Sequence, residues 1–177
     1  GSARTISAWT EFSFPGRGDM HSSMRWGWQH FDSVDYNSLE PETRAVWQVK
    51  DKPLERNVDG ERGNYDYLMG CDLDLDHPEV QDELKKWGEW TLDTTGSKGF
   101  RLDAIKHINS DFFVDWIQHV EHYAGRDVFV VGEFWTYDIN TLCNYASRTG
   151  GQMSLFDAPL HFNFHKASES GGHFDMG

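Results

Sequence analysis

From Asp72 onward the chain alternates between stretches with helical spacing of apolar residues and short, densely apolar runs. Pro78 suits the first position of a helix, with Asp76 or His77 as its cap. Val80, Leu84, Trp87 and Thr91 then recur at helical spacing, and Gly96 supplies the stop. Residues 99–104 predict a short strand. A second helix follows, with Ser110 as cap, Phe113, Trp116, Ile117, Val120 and Ala124 on its buried face, and Gly125 closing it. The β-branched run 128–131 predicts a fully buried parallel strand. A third helix fits 140–148, and a weaker strand fits 153–157.

The first 70 or so residues have another texture. Aromatic-rich pieces at 9–14 and 26–31 flank the turn sequence Pro15-Gly16-Arg17-Gly18, and polar sequence without helical period runs from Asp35 to Asn64. That pattern predicts an irregular strand-and-loop subdomain. The later alternation of helix and strand is that of a parallel α/β fold, either a (β/α) barrel or a doubly wound sheet. No Gly-x-Gly-x-x-Gly or Walker loop follows any strand, which counts against a nucleotide-binding sheet.

Charge narrows the partners. A net charge of −13 offers no basic groove for phosphates, so nucleic acid is excluded as a partner. The acidic excess is either a solvated surface or suited to a neutral polyol or a hard cation. No apolar run approaches membrane-spanning length and no secretory leader opens the chain, so no membrane partner is expected. Gly1-Ser2 reads as a remnant of tag removal, which leaves the compartment open. Cys71 and Cys143 have no metal-ligand spacing and read as two free thiols.

Two carboxylates carry the candidate chemistry. Asp103 ends the first strand of the α/β region and Glu133 lies just past the next. Side chains at the ends of adjacent parallel strands, about 4.8 Å apart, can converge on one substrate atom. Retaining glycosidases use such a pair, one carboxyl as nucleophile and the other as acid/base, about 5–5.5 Å apart. Arg101, two residues before Asp103 and on the same face, could hold it ionised. Helix capping or a solvated loop would explain the same acids, and a structural Arg–Asp pair would look identical.

The segment Gly99-Phe100-Arg101-Leu102-Asp103-Ala104-Ile105-Lys106-His107 resembles the second signature region of the α-amylase family, glycoside hydrolase family thirteen. Val131-Gly132-Glu133-Phe134-Trp135 resembles the third, and Leu68-Met69-Gly70-Cys71-Asp72-Leu73-Asp74 the fifth. Trp26-Gly27-Trp28-Gln29-His30-Phe31-Asp32, Gly63-Asn64-Tyr65-Asp66-Tyr67 and Phe156-Asp157-Ala158-Pro159-Leu160 are similar to its liquefying-type subfamily. The resemblance implies an irregular, β-rich B domain over residues 3–75. Residues 76–177 would be part of a (β/α)8 barrel of the TIM type, from its third helix to its sixth strand and the loop beyond. It implies an α-glucan substrate, Asp103 as nucleophile, Glu133 as acid/base and Arg101 as orienting group. Lys106, His107 and Trp135 would contact sugar on the leaving-group side. The family's first signature region and its Asn-His-Asp segment do not occur in this sequence, so the remaining part of the barrel is expected to be required for activity.

Asp66, Asp72, Asp74 and Asp76 form an acidic cluster, read either as calcium ligands or as solvated acids near a helix N-terminus. The resemblance implies one Ca2+ held by Asp66, Asp72 and the backbone carbonyl of His107. Asp32, Asp74 and Asp76 match a further calcium–sodium cluster of some liquefying amylases. Glu55 stands where that cluster has an Asp, a departure that speaks against the second site.

Overall fold

A computed structural model describes residues 3–12, 16 and 18–175. Gly1-Ser2 and most of the turn expected at Pro15 to Arg17 lie outside the described residues. The elements, in order, are β1 (Phe31–Val34), β2 (Trp47–Gln48), β3 (Cys71–Leu73), α1 (Pro78–Thr95), β4 (Gly99–Leu102), α2 (Ser110–Ala124), β5 (Phe129–Gly132), α3 (Ile139–Arg148), β6 (Ser154–Leu155) and α4 (Ala158–Glu169).

Two sheets result. The first is antiparallel in the order β2-β1-β3 and lies wholly within residues 31–73. As expected of an irregular strand-and-loop region, the described residues of the aromatic pieces are joined by an isolated bridge between Phe12 and Trp26, and the first described strand begins at Phe31. In β1, Phe31 faces Leu73 and Ser33 faces Asp72, which leaves Asp32 as the extra residue of a bulge. A bulge re-aims the side chain it carries.

The second sheet is parallel, β4-β5-β6, with Leu102 opposite Gly132 and Gly132 in turn against Leu155. Each crossover is a helix, which is how parallel strands are joined. Helix α1 is capped by His77, whose ring nitrogen accepts the Glu79 N–H, and is ended by Gly96 in the left-handed region (φ +64°). Its buried ridge is Val80, Gly88 and Leu92, with Leu84 partly buried, whereas Trp87 is exposed. Gly88 explains the shift of face: a β-carbon there would lie 2.8 Å from both Trp116 and Val120, so its absence lets α2 approach closely. Helix α2 begins at Ser110, but the cap is Asn109, whose side chain accepts the Asp111 N–H. Its expected face is buried at Phe113, Trp116, Ile117 and Val120 and packs with Ile105, Val130, Phe134 and Met153 into one core.

Helix α4 was not expected from the sequence. Asp157 caps it through the Leu160 N–H, and Pro159 sits in its first turn. Beside β4, Leu84, Trp87, Phe112 and Trp116 line an apolar cavity of about 470 Å³ that reaches Arg101 and Asp103. No described strand pairs with the outer edge of β4.

Candidate active site

Asp103 and Glu133 follow directly on the paired residues Leu102 and Gly132, so the strand register brings the two carboxylates side by side. Backbone bonds lock the junction: the Glu133 N–H donates to the Leu102 carbonyl at 2.9 Å, and the Ile105 N–H to the Glu133 carbonyl at 3.1 Å. Between them Ala104 turns the chain with φ +51°, a left-handed conformation that costs a residue with a β-carbon about 1 kcal/mol. That turn aims the Ala104 N–H at Glu133 Oε2, 3.3 Å away.

Arg101 bridges the pair. Its guanidinium lies 2.6 Å from Asp103 Oδ1 and 3.3 Å from Glu133 Oε1. The Arg101 side chain, then a hydrogen bond with Glu133, hold the Asp103 carboxyl below the usual carboxylate range. The environments differ: the Asp103 side chain is 72% exposed and Glu133 only 17%. The indole N–H of Trp135 donates to Glu133 Oε1 at 2.5 Å. Trp135, Tyr137 and Phe156 expose aromatic faces around this mouth, and Trp135 packs against His161 and Phe162.

Lys106 and His107 lead away from the carboxylates into the seam with the first 75 residues. The Lys106 ammonium donates to Glu61 at 2.8 Å and to the Trp135 carbonyl at 3.3 Å. The His107 ring is buried, bonded to the Tyr65 carbonyl at 2.7 Å and edge-on to the Tyr65 ring. Burial pushes its pKa down. Glu55, singled out in the sequence only as a departure, is a buried strut: its carboxyl accepts the N–H groups of Leu75 at 2.8 Å and Asn109 at 3.1 Å. Glu61 had no sequence signal, because only folding brings it to Lys106.

Of the acidic residues, Asp32, Asp66 and Asp72 converge, each offering an oxygen within 4.8 Å of the others. The bulge at Asp32 accounts for this grouping. Burial first, then mutual repulsion, pushes Asp32 to about 7 and Asp72 to about 8, and Asp66 is raised as well. Ser33 Oγ donates to Asp32 Oδ1 at 2.9 Å, while the buried Asp32 Oδ2 has no partner. Three oxygen donors around an orphaned carboxylate oxygen fit a hard divalent cation such as calcium. Asp76 is exposed and Asp74 is engaged with Lys52, so neither joins the trio.

A second group, His30, His77 and Glu79, is also close enough to hold a metal. Here His30 Nδ1 accepts the Gly27 N–H and His77 Nδ1 accepts the Glu79 N–H. Both rings therefore carry their proton on Nε2, and His30 Nε2 donates to Glu79 at 3.0 Å. The group is a hydrogen-bonded latch between the first sheet's entry and α1.

A parallel β/α segment with two carboxylates side by side at adjacent strand ends has the layout of a TIM-barrel catalytic face. The comparisons narrow this: residues 59–175 match the family model described as the alpha amylase catalytic domain, and the chain belongs to that family. It is 55% identical over 172 residues to an alpha-amylase of Geobacillus stearothermophilus, covering 97% of this chain and 31% of that one. It is 48% identical over 174 residues to a glucan 1,4-alpha-maltohexaosidase of Bacillus sp. (strain 707), covering 97% and 34%. The chain thus spans about a third of the length of these relatives. Among solved structures, an alpha-amylase of Geobacillus thermoleovorans complexed with acarbose aligns with a TM-score of 0.50 at 24% identity, covering 63% of this chain and 25% of that one, a likeness of fold.

Proposed function

We propose that the whole protein is an endo-acting, retaining hydrolase of α-1,4-glucans such as starch. The observation that carries this reading is the single Arg101 guanidinium spanning Asp103 and Glu133 at adjacent strand ends. Arg101 keeps Asp103 anionic, ready to attack the anomeric carbon as the glycosidic C–O bond breaks. Glu133, less exposed and positioned by Trp135 and the Ala104 N–H, gives its proton to the departing oxygen. It then takes a proton from water, which displaces Asp103 and leaves the product with retained configuration. Trp135, Tyr137 and Phe156 offer faces for sugar rings, with the Lys106–Glu61 pair at the rim.

Asp32, Asp66 and Asp72 would hold a calcium ion, with the His107 carbonyl as a further ligand. The ion when bound would supply positive charge that cancels the repulsion among these buried acids. The remaining barrel strands, outside this chain, are needed for activity on this reading, since β4 has an open edge beside Asp103. A second reading, a maltooligosaccharide-forming enzyme, is favoured by the 48% identity to a maltohexaosidase. It differs in product length and not in chemistry.

The test is hydrolysis of soluble starch by the full-length enzyme, with the anomer of the first product followed by NMR. The expected product is the α-anomer, and Asp103→Asn abolishes its release while leaving the melting curve intact. A β-anomer first, or retention of more than a few per cent of the activity in Asp103→Asn, would overturn the assignment.

A further inference from the structure

Asp74 lies beside the acidic trio but is satisfied quite differently. Its Oδ1 accepts the Asp76 N–H at 3.1 Å, and its Oδ2 accepts the Lys52 ammonium at 2.5 Å. The same ammonium donates to the Gln29 carbonyl. Both side chains of this pair are only 17% exposed, so this is no loose surface contact. Local structure delivers the lysine. The Val49 N–H bonds to the Asp32 carbonyl, Asp51 takes a left-handed turn (φ +65°), and the Lys52 N–H closes back on the Val49 carbonyl. The Asp74 N–H in turn bonds the His30 carbonyl, one residue from β1. Lys52 and Asp74 are therefore pinned to opposite sides of the strand that carries Asp32.

The ammonium's surroundings, a carboxylate oxygen and a backbone carbonyl in a half-buried acidic neighbourhood, are oxygen donors of the kind a hard cation takes. The contrast with the trio is direct. There a carboxylate oxygen, Asp32 Oδ2, is buried with no N–H or hydroxyl donor and no cation, whereas at Asp74 the chain itself provides the positive charge. We propose that Lys52 is a built-in cation occupying a second seat in the acidic cluster. The cluster then takes one metal ion, at Asp32, Asp66 and Asp72, and Asp74 serves the lysine. This rests on the calcium reading of the trio, and it makes part of the charge balance independent of the calcium supply.

The experiment is calorimetric titration of the full-length enzyme with Ca2+ in sodium-free buffer, comparing the unmodified protein with Lys52→Ala, Asp74→Asn and Asp72→Asn. Lys52→Ala is expected to gain one Ca2+ per chain, because the vacated donors are refilled. Asp74→Asn is expected to lose none, and Asp72→Asn to lose one. An unchanged stoichiometry in Lys52→Ala, or one ion lost in Asp74→Asn, overturns the inference. If Lys52→Ala does not fold, Asp74→Asn decides alone. If Asp72→Asn loses no ion, the calcium reading of the trio fails, and the Lys52→Ala difference still decides the role of the lysine.

Discussion

Gly132→Ala should damage catalysis as well as stability. Gly132 ends β5, is buried, and immediately precedes Glu133. A β-carbon there would lie 2.5 Å from Ile105 Cδ1, 2.9 Å from Met153 Sδ and 3.4 Å from Leu155. Ordinary contact begins at 3.4 Å, so about 0.9 Å of overlap must be relieved at Ile105. Ile105 and Met153 are both buried and have little room to swing away. The cost of such overpacking is about 1–3 kcal/mol. Relief then divides between these side-chain ends and the end of β5, whose displacement carries Glu133 with it. Active-site groups need placement to within about 0.5 Å, and a shift near 1 Å costs on the order of 100-fold in rate. We therefore expect kcat on soluble starch to fall about 10- to 100-fold while the protein stays folded. Gly96→Ala is the control: φ is +64°, the space is open, and the site is remote. It should lose about 1 kcal/mol of stability with unchanged kcat. A Gly132→Ala enzyme with kcat within twofold of the parent would refute the claim that this glycine sets the position of Glu133.

Glu133→Gln should be inactive on starch but regain its first step with an α-glucosyl fluoride, whose leaving group needs no proton; absence of any rescue would mean that Glu133 does not act as the acid. Calcium should raise the melting midpoint of the full-length enzyme, since a ligand that binds only the folded state stabilises it, and Asp72→Ala should remove most of the rise; a chelator-insensitive melting curve would refute the site. In the metal-free enzyme, Asp32 and Asp72 ionise at about 7 and about 8 when folded, well above their unfolded range. The folded state then holds protons that the unfolded state releases, so the contribution of these two groups to stability is greatest at low pH and is lost as pH rises toward about 8. Scanning calorimetry with chelator should show that fall, and saturating calcium should reduce it, leaving the part due to buried Glu55, which is also pushed up to about 8.

The α/β half of the chain was legible because its signals are local. Pro78, Gly96 and Gly125 mark helix ends in their own right, and the run around Val130 reads as a strand without a partner, but it is not fully buried as expected, since Phe129 is 63% exposed. That Asp103 and Glu133 would meet followed from two adjacent strand ends, and the register of Leu102 against Gly132 brings them together. What was not legible depended on distant pairing. Trp87 fits the helical period of α1, yet Gly88 takes the interface because Trp116, 28 positions later, fills the space. The bulge that groups Asp32 with Asp66 and Asp72 comes from a mismatch between β1 and β3, invisible in either strand alone. Lys52 gave no sign at all, since nothing in its spacing points to Asp74. Helix α4 had a readable start in Asp157 and Pro159, but it buries only Ala158, so it carries no apolar stripe to read.

The left-handed turn at Ala104 sets a trade-off for anyone evolving this enzyme. Gly or Asn would occupy that conformation more easily, so selection for heat resistance alone should drift toward them at position 104. The same substitutions widen the range of angles open to the segment between Asp103 and Ile105. Thermostable winners would then carry a backbone N–H less firmly aimed at Glu133, and a screen that scores survival without scoring turnover would enrich them.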